Sequence, residues 1–198
     1  MYYMNIEAAR KTRANNRTNA KANDTIYTPK PVAERMIEMC GITSNMTVLD
    51  CSRGGGVFYD NLPECKKSYC EITEGFDFFE WREPVDLIIG NPPYSLWDKW
   101  IDHTLTLTNK FCYIFGTSNL TEVRMRRIMG AGFGITRFCL LKVDWWFSPS
   151  FLILFEKGQP NIIDVITDKI YCDICSGGGK SCGRGRNGKS PNECGKKR

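Results

Sequence analysis

The stretch DLIIGNPPYSLWDKW, residues 86–100, decides the fold. It opens with an apolar run of the kind that fills a strand covered on both faces. Asn91, Pro92, Pro93 and Tyr94 then interrupt it. Two successive prolines can neither donate to a strand ladder nor continue a helix, so the backbone there is rigid and stands outside regular structure. Over residues 96–107 the apolar positions recur at helical spacing. Strand, rigid loop and helix form the repeating unit of an α/β domain, with the loop at the carboxyl end of its strand.

The rest of the chain continues this alternation. Short runs rich in β-branched and aromatic residues predict strands at 47–51, 68–72, 85–90, 110–116, 137–143 and 150–157. Helices are expected at 31–40, 58–62, 96–107 and 121–129. Strands apolar on both faces, separated by helices, imply a mainly parallel twisted sheet. The last two strands have a short connection, so they are expected to pair antiparallel at the edge. From about residue 171 the periodicity gives way to Gly, Lys, Arg, Ser and Cys, which marks the end of the domain. A chain of 198 residues, 42% hydrophobic, supports one domain with a proper core plus tails.

The net charge of +5 is modest, but its placement is not uniform. Arg10, Lys11, Arg13, Arg17 and Lys21 crowd the first segment, and Lys180, Arg184, Arg186 and Lys189 the last. Basic ends around a near-neutral middle suit a polyanion such as nucleic acid, bound through its phosphates. No apolar run approaches the roughly 20 residues of a membrane span, and the start lacks the apolar block of a secretory signal. The expectation is a cytoplasmic protein with no membrane partner.

The ten cysteines divide by spacing. Cys40, Cys51, Cys65, Cys70, Cys112 and Cys139 are scattered in apolar surroundings and read as core thiols. Cys172, Cys175, Cys182 and Cys194 cluster in the basic tail, where their thiolates suffice for a closed tetrahedral Zn2+ site. A zinc knuckle would display Arg184, Arg186 and Lys189 to nucleic acid. A basic tail with incidental cysteines is the alternative.

In such a sheet, ligands bind beyond the carboxyl ends of the strands. Asp50 closes one strand, and Gly54, Gly55 and Gly56 follow, permitting a tight turn whose amides approach a ligand closely. Glu71 ends the next strand about twenty residues on, where a nucleoside-binding fold places a carboxylate for ribose hydroxyls. Asp77 and Phe78 set a carboxylate beside an aromatic, fit for the edge and face of an adenine.

These strand ends, with Asn91-Pro92-Pro93-Tyr94 after them, resemble in order and spacing the S-adenosylmethionine-dependent adenine-N6 DNA methyltransferases of the Asn-Pro-Pro-Tyr type. YTPKPVAERMI (27–37) looks like the family's first motif and LDCSRGGGVF (49–58) like its Gly loop. GNPPYSLWDKWI and KFCYIFGTSNLT are similar to the enzymes of phages and restriction-modification systems. The likeness covers roughly residues 25–160. It implies a Rossmann-like class I methyltransferase domain over 25–168, between a basic segment 1–24 and the Cys-rich tail 169–198. It implies that Tyr27, Thr28, Pro29, Asp50, Ser52, Gly54, Gly56, Glu71, Asp77, Phe78 and Asn91 hold the cofactor. The Asn91 side-chain oxygen and the Pro92 carbonyl would accept the two N6 hydrogens, localising a lone pair otherwise delocalised into the ring. Tyr94 would stack on the adenine, and Phe147 or Trp146 would form the second wall. No general base is required before attack, so His103, on a predicted helix, reads as a surface or packing residue.

DNA is the first substrate this reading gives, with a base flipped from a duplex. An RNA adenine is the alternative, and a protein glutamine a further one, since glutamine methyltransferases share the Asn-Pro-Pro-Tyr loop. A methyltransferase fold retained only for nucleic-acid binding is the non-enzymatic reading, carried by Arg53 and Gly55 in the Gly loop. The chain has no room for a large target-recognition domain, so a partner subunit is a candidate source of specificity.

Overall fold

The computed structural model describes residues 27–143 and 148–163. Helix α1, Lys30–Cys40, starts on Pro29 with a further proline in its first turn and stops at Gly41, whose left-handed φ of 58° closes it. Strand β1 is Thr47–Asp50, β2 Lys66–Tyr69 and β3 Leu87–Gly90. A 3-10 turn, Tyr94–Leu96, leads into α2, Trp97–Leu107. Strand β4, Lys110–Gly116, is followed by α3, Glu122–Gly130, capped by the Thr121 hydroxyl accepting from the Arg124 amide. Strands β5, Phe133–Leu141, and β6, Ser150–Lys157, end the described fold.

The six strands form one sheet in the order β2-β1-β3-β4-β6-β5. The first four run parallel, with Asp50 of β1 level with both Tyr69 of β2 and Ile89 of β3. The expected antiparallel pairing at the far end is present: β6 runs against both β4 and β5, and stands one place in from the edge with β5 outermost. The carboxyl ends of β1, β2, β3 and β4 therefore open on one rim.

Period-two alternation divides each apolar run between the two faces. Leu49, Ile88, Phe111, Phe115 and Phe155 face Trp97, Ile101, Met125 and Ile128 of α2 and α3. Val48, Leu87, Ile89, Cys112 and Leu154 face Val32, Ala33 and Met36 of α1 on the other side. The six scattered cysteines are free; four are buried, and Cys65 and Cys139 are partly buried against the α1-side core. None of the described helices is long and apolar enough to cross a membrane.

Sequence expectations shift at the second strand and at the helix after the Gly loop. The second strand was expected at 68–72 but is Lys66–Tyr69, at the sheet edge. An edge strand needs no continuous apolar run, and its lysines guard the open side; Lys67 Nζ sits 4.7 Å from the Tyr59 ring centroid. The helix expected at 58–62 is one 3-10 turn, Tyr59–Asn61, because Leu62 precedes Pro63 and takes an extended conformation. His103 is a packing residue as read: its Nε2 lies 3.1 Å from the Trp81 carbonyl and its ring stands edge-on to Phe78.

Phe111 is fully buried and stacks on Phe155 with ring centroids 4.8 Å apart. Phe111→Ala should cost about 3–5 kcal/mol of stability in urea unfolding, the usual cost of emptying an aromatic core position.

Candidate functional site

The site is built where β1 and β3, neighbours in the sheet, release their chains side by side. Asp50 is fully buried at the end of β1, its Oδ1 accepting from the Ser52 amide at 3.3 Å and its Oδ2 from the Tyr59 amide at 3.2 Å. It thus ties both ends of the Gly loop to the strand. Burial pushes its carboxyl up to about 7, against the pull of the two amides.

Within the loop, Gly54 adopts a left-handed φ of 51°, and its amide donates to Glu71 Oε2 at 2.8 Å. Glu71 Oε1 accepts from the Thr73 hydroxyl at 2.6 Å and the Thr73 amide at 3.1 Å. The Thr73 hydroxyl, helped by these amides, holds the Glu71 carboxyl below the usual range, so it stays ionised. Glu71 does not end a strand as expected. It lies two residues beyond β2, capping a 3-10 turn, Ile72–Glu74, and bridging to Phe76.

Arg53 turns away from this carboxylate. Its Nη1 donates to Glu74 Oε1 at 2.8 Å, and its guanidinium lies over the Tyr69 ring at 4.7 Å. At Gly55 an added Cβ would stand 3.2 Å from the Tyr27 ring, so this glycine makes room for the tyrosine. Both residues of the loop that raised the binding-only reading therefore have structural reasons to be what they are.

A cavity of about 460 Å³ opens between these elements, within the roughly 300–1,000 Å³ typical of small-molecule sites. Ser52, Gly54, Glu71, Asp77, Phe78 and Asn91 line it. A second cavity of about 230 Å³ shares Tyr27, Ser52, Gly54 and Asn91 with the first and adds Thr28. The segment Tyr27–Thr28 is joined to the prolyl loop directly, since Asn91 Nδ2 donates to Thr28 Oγ1 at 3.3 Å.

Five sequence candidates among the described residues do not line either cavity. Asp50 sits beneath the loop, and Pro29 begins α1. Pro92 is buried in the turn. Tyr94 tilts against Trp97 at 6.2 Å and reaches the end of β4, where its Cε2 lies 3.7 Å from the Cβ position of Gly116. Gly56 supports the loop from the turn before Asp60. Trp146, Phe147, Cys172, Cys175, Cys182 and Cys194 lie outside the described residues. Among the described residues no group of three or more His, Cys, Asp or Glu could hold a metal ion.

The sequence reading missed the apolar rim. Ile72 is 67% exposed and Phe76 55% exposed, and both line the larger cavity with Leu96. The available signal was Ile72 itself, an apolar residue directly after the pocket carboxylate. Exposed apolar surface beside ionised acceptors suits a flat heterocycle carrying a sugar.

The strand order and the pocket at the carboxyl ends define the class I, Rossmann-like methyltransferase fold. A protein from Pyrococcus horikoshii, proposed to be an RNA methyltransferase, matches with a TM-score of 0.55 at 18% identity, over 66% of this chain and 85% of that one. The 23S rRNA methyltransferase ErmE matches with a TM-score of 0.52 at 13% identity, over 70% and 72% of the two chains. The magnesium protoporphyrin IX methyltransferase of Synechocystis, solved with bound SAH, matches with a TM-score of 0.50 at 12% identity, over 65% and 82%. No protein-family model and no curated protein matches the sequence.

Asp50 gives a pH-dependent prediction. Its folded-state pKa of about 7 stands above the ordinary 3.8, so its contribution to stability is complete below 3.8 and is lost as the pH rises towards 7. Thermal melts of wild type and Asp50→Asn should diverge in the variant's favour across that window. A constant difference between the two would contradict the raised pKa.

Proposed function

We propose that the chain is an S-adenosylmethionine-dependent methyltransferase that modifies the N6 amine of adenine in a nucleic acid, RNA in the first place and DNA in the second. One observation carries it: Asn91, first residue of the rigid prolyl loop, stands at the junction of both cavities, bonded to Thr28. Asn91 therefore stands at the edge of the proposed cofactor pocket, and Tyr94 lies outside the lining of both cavities.

The pocket fits the cofactor by its volume and its donor set. Glu71 carries lone pairs beyond those given to Gly54 and Thr73, enough for ribose hydroxyls. Ile72 and Phe76 offer apolar surface to a purine, and Asp77 an acceptor to its amine. When bound, S-adenosylmethionine supplies an electrophilic methyl group.

The chain's own residues prepare the nucleophile. An adenine amine attacks poorly while its lone pair is delocalised. Asn91, its Nδ2 held by Thr28, presents its amide oxygen as an acceptor, and the Pro92 carbonyl is fixed by a following residue without an N–H. Hydrogen bonds from the amine to both draw it towards a tetrahedral geometry. Burial pushes the Tyr94 phenol up to about 12, so the ring that stacks on the base stays neutral. The nitrogen gains the methyl and releases one proton, made acidic by the alkylation itself.

RNA is placed first because an unpaired adenine is already exposed, whereas a duplex must give up a stacked base. The names of two similar structures, one an rRNA methyltransferase, agree with that order. The Asn-Pro-Pro-Tyr and KFCYIFGTSNLT segments favour DNA, which is why it stays second.

Labelled S-adenosylmethionine offered with total RNA, unmethylated DNA and a protein extract separates these readings. Label recovered as N6-methyladenine supports the proposal, and its polymer decides RNA against DNA. Label on protein glutamine would overturn it. Asn91→Ala should lower transfer by about 100-fold or more, as loss of a preorganised polar contact does, while cofactor affinity changes far less. An equal loss of both would refute the role given to Asn91.

A further inference from the structure

The loop after β4 carries a polar group that the proposed chemistry leaves unused. Asn119 is only 7% exposed, yet its Nδ2 has no hydrogen-bond partner among the described residues. Buried donors are nearly always paired, and one left alone costs about 1–3 kcal/mol, so this donor points to a ligand acceptor.

The orientation of the carboxamide is fixed. Arg124 Nη1 donates to Asn119 Oδ1 at 3.3 Å and to the Asn119 backbone carbonyl at 3.0 Å. Arg124 in turn grips Asp98 with two bonds, Nε to Oδ1 at 3.0 Å and Nη2 to Oδ2 at 3.2 Å. An arginine has no acceptor, so the oxygen of Asn119 must face it and the NH2 must face the other way. That way is the end of β4: Asn119 Nδ2 and the Tyr94 hydroxyl each stand 3.8 Å from the Cβ position of Gly116. The orphan donor and the ring assigned to stacking thus meet at one point, the end of β4.

We propose that Asn119 is a specificity-determining residue, its Nδ2 donating to the ring nitrogen that flanks the amine of the target adenine, N1 or N7. This rests on the adenine reading above and deepens it. Adenine presents an acceptor on each side of its amine. With Asn91 and Pro92 taking the two amine hydrogens and Tyr94 the face, Asn119 reads the edge. Guanine presents a hydrogen-bearing N1 beside its amine, so it leaves this donor opposed on that side.

The test uses the full-length protein and RNA transcribed with adenosine, 7-deazaadenosine or 1-deazaadenosine, in which one ring nitrogen is replaced by a C–H. Wild type should lose about 10- to 100-fold in kcat/KM on one of the two analogues, the effect of leaving a buried donor unpaired. Asn119→Ala should show that loss already on ordinary adenosine and none further on the same analogue. Its cofactor affinity should stay at the wild-type value. The wild-type arm does not depend on the variant folding. Transfer to both analogues at the adenosine rate, or a variant as sensitive to them as wild type, overturns the role of Asn119 while leaving the methyltransferase reading intact. No transfer to any of the RNAs or to the matching DNAs overturns the adenine reading and this inference with it.

Discussion

The close approach of two strand ends holds the site together. Strands β1 and β3 are hydrogen-bonded neighbours, so the chains leaving them compete for the same space. Gly90 resolves the competition: a Cβ there would stand 2.8 Å from Cys51 Sγ and 3.2 Å from Ser52 Oγ. Any side chain at 90 would push the prolyl loop off the Gly loop. Its absence lets Ser52 and Asn91 form a shared wall, and the bond from Asn91 to Thr28 closes the third side. Cys51 is fixed below by the Trp100 indole N–H, which donates to its Sγ at 3.4 Å. Burial pushes this thiol up to about 12, so it packs as a neutral group.

From that wall the site divides into two sides with different chemistry. Towards β2 lie the carboxylates of Glu71 and Asp77 with exposed Ile72 and Phe76, the surface proposed for the nucleoside of the cofactor. Towards β4 lie Tyr94, Gly116 and Asn119, braced by the Asp98–Arg124 pair and the Trp97 ring beneath it. Asn91 and the prolines stand between the two. In the proposed reaction a methyl group crosses from one side to the other, and the rigid loop at the end of β3 stands at that boundary.

Much of this was legible in the sequence where the residue type is forced by geometry. Continuous apolar runs declared the doubly covered strands at 87–90, 110–116 and 150–157, and the double proline declared the rigid loop. Legibility failed where position in the sheet overrode composition. Strand β2 reads poorly because an edge strand is half exposed and polar, and that misplaced Glu71 relative to its strand. The family likeness puts Asp50 among the cofactor-holding residues, whereas its burial beneath the loop makes it a brace. Nothing in the local pattern distinguishes the two roles, since either needs an acid before the glycines. Asn119 could not be singled out either: its significance lies in Arg124 holding one end of its amide, and Arg124 is itself held by Asp98, a contact that the packing of α3 against α2 creates.

The central claim is that the cavity beside the prolyl loop binds the cofactor and that Tyr94 serves the substrate. Isothermal titration of S-adenosylhomocysteine into the full-length protein tests it most directly, in wild type, Glu71→Ala and Tyr94→Ala. The account predicts one-site binding, clearly weakened by Glu71→Ala and little changed by Tyr94→Ala. No binding to wild type, or a loss in Tyr94→Ala as large as in Glu71→Ala, would contradict it.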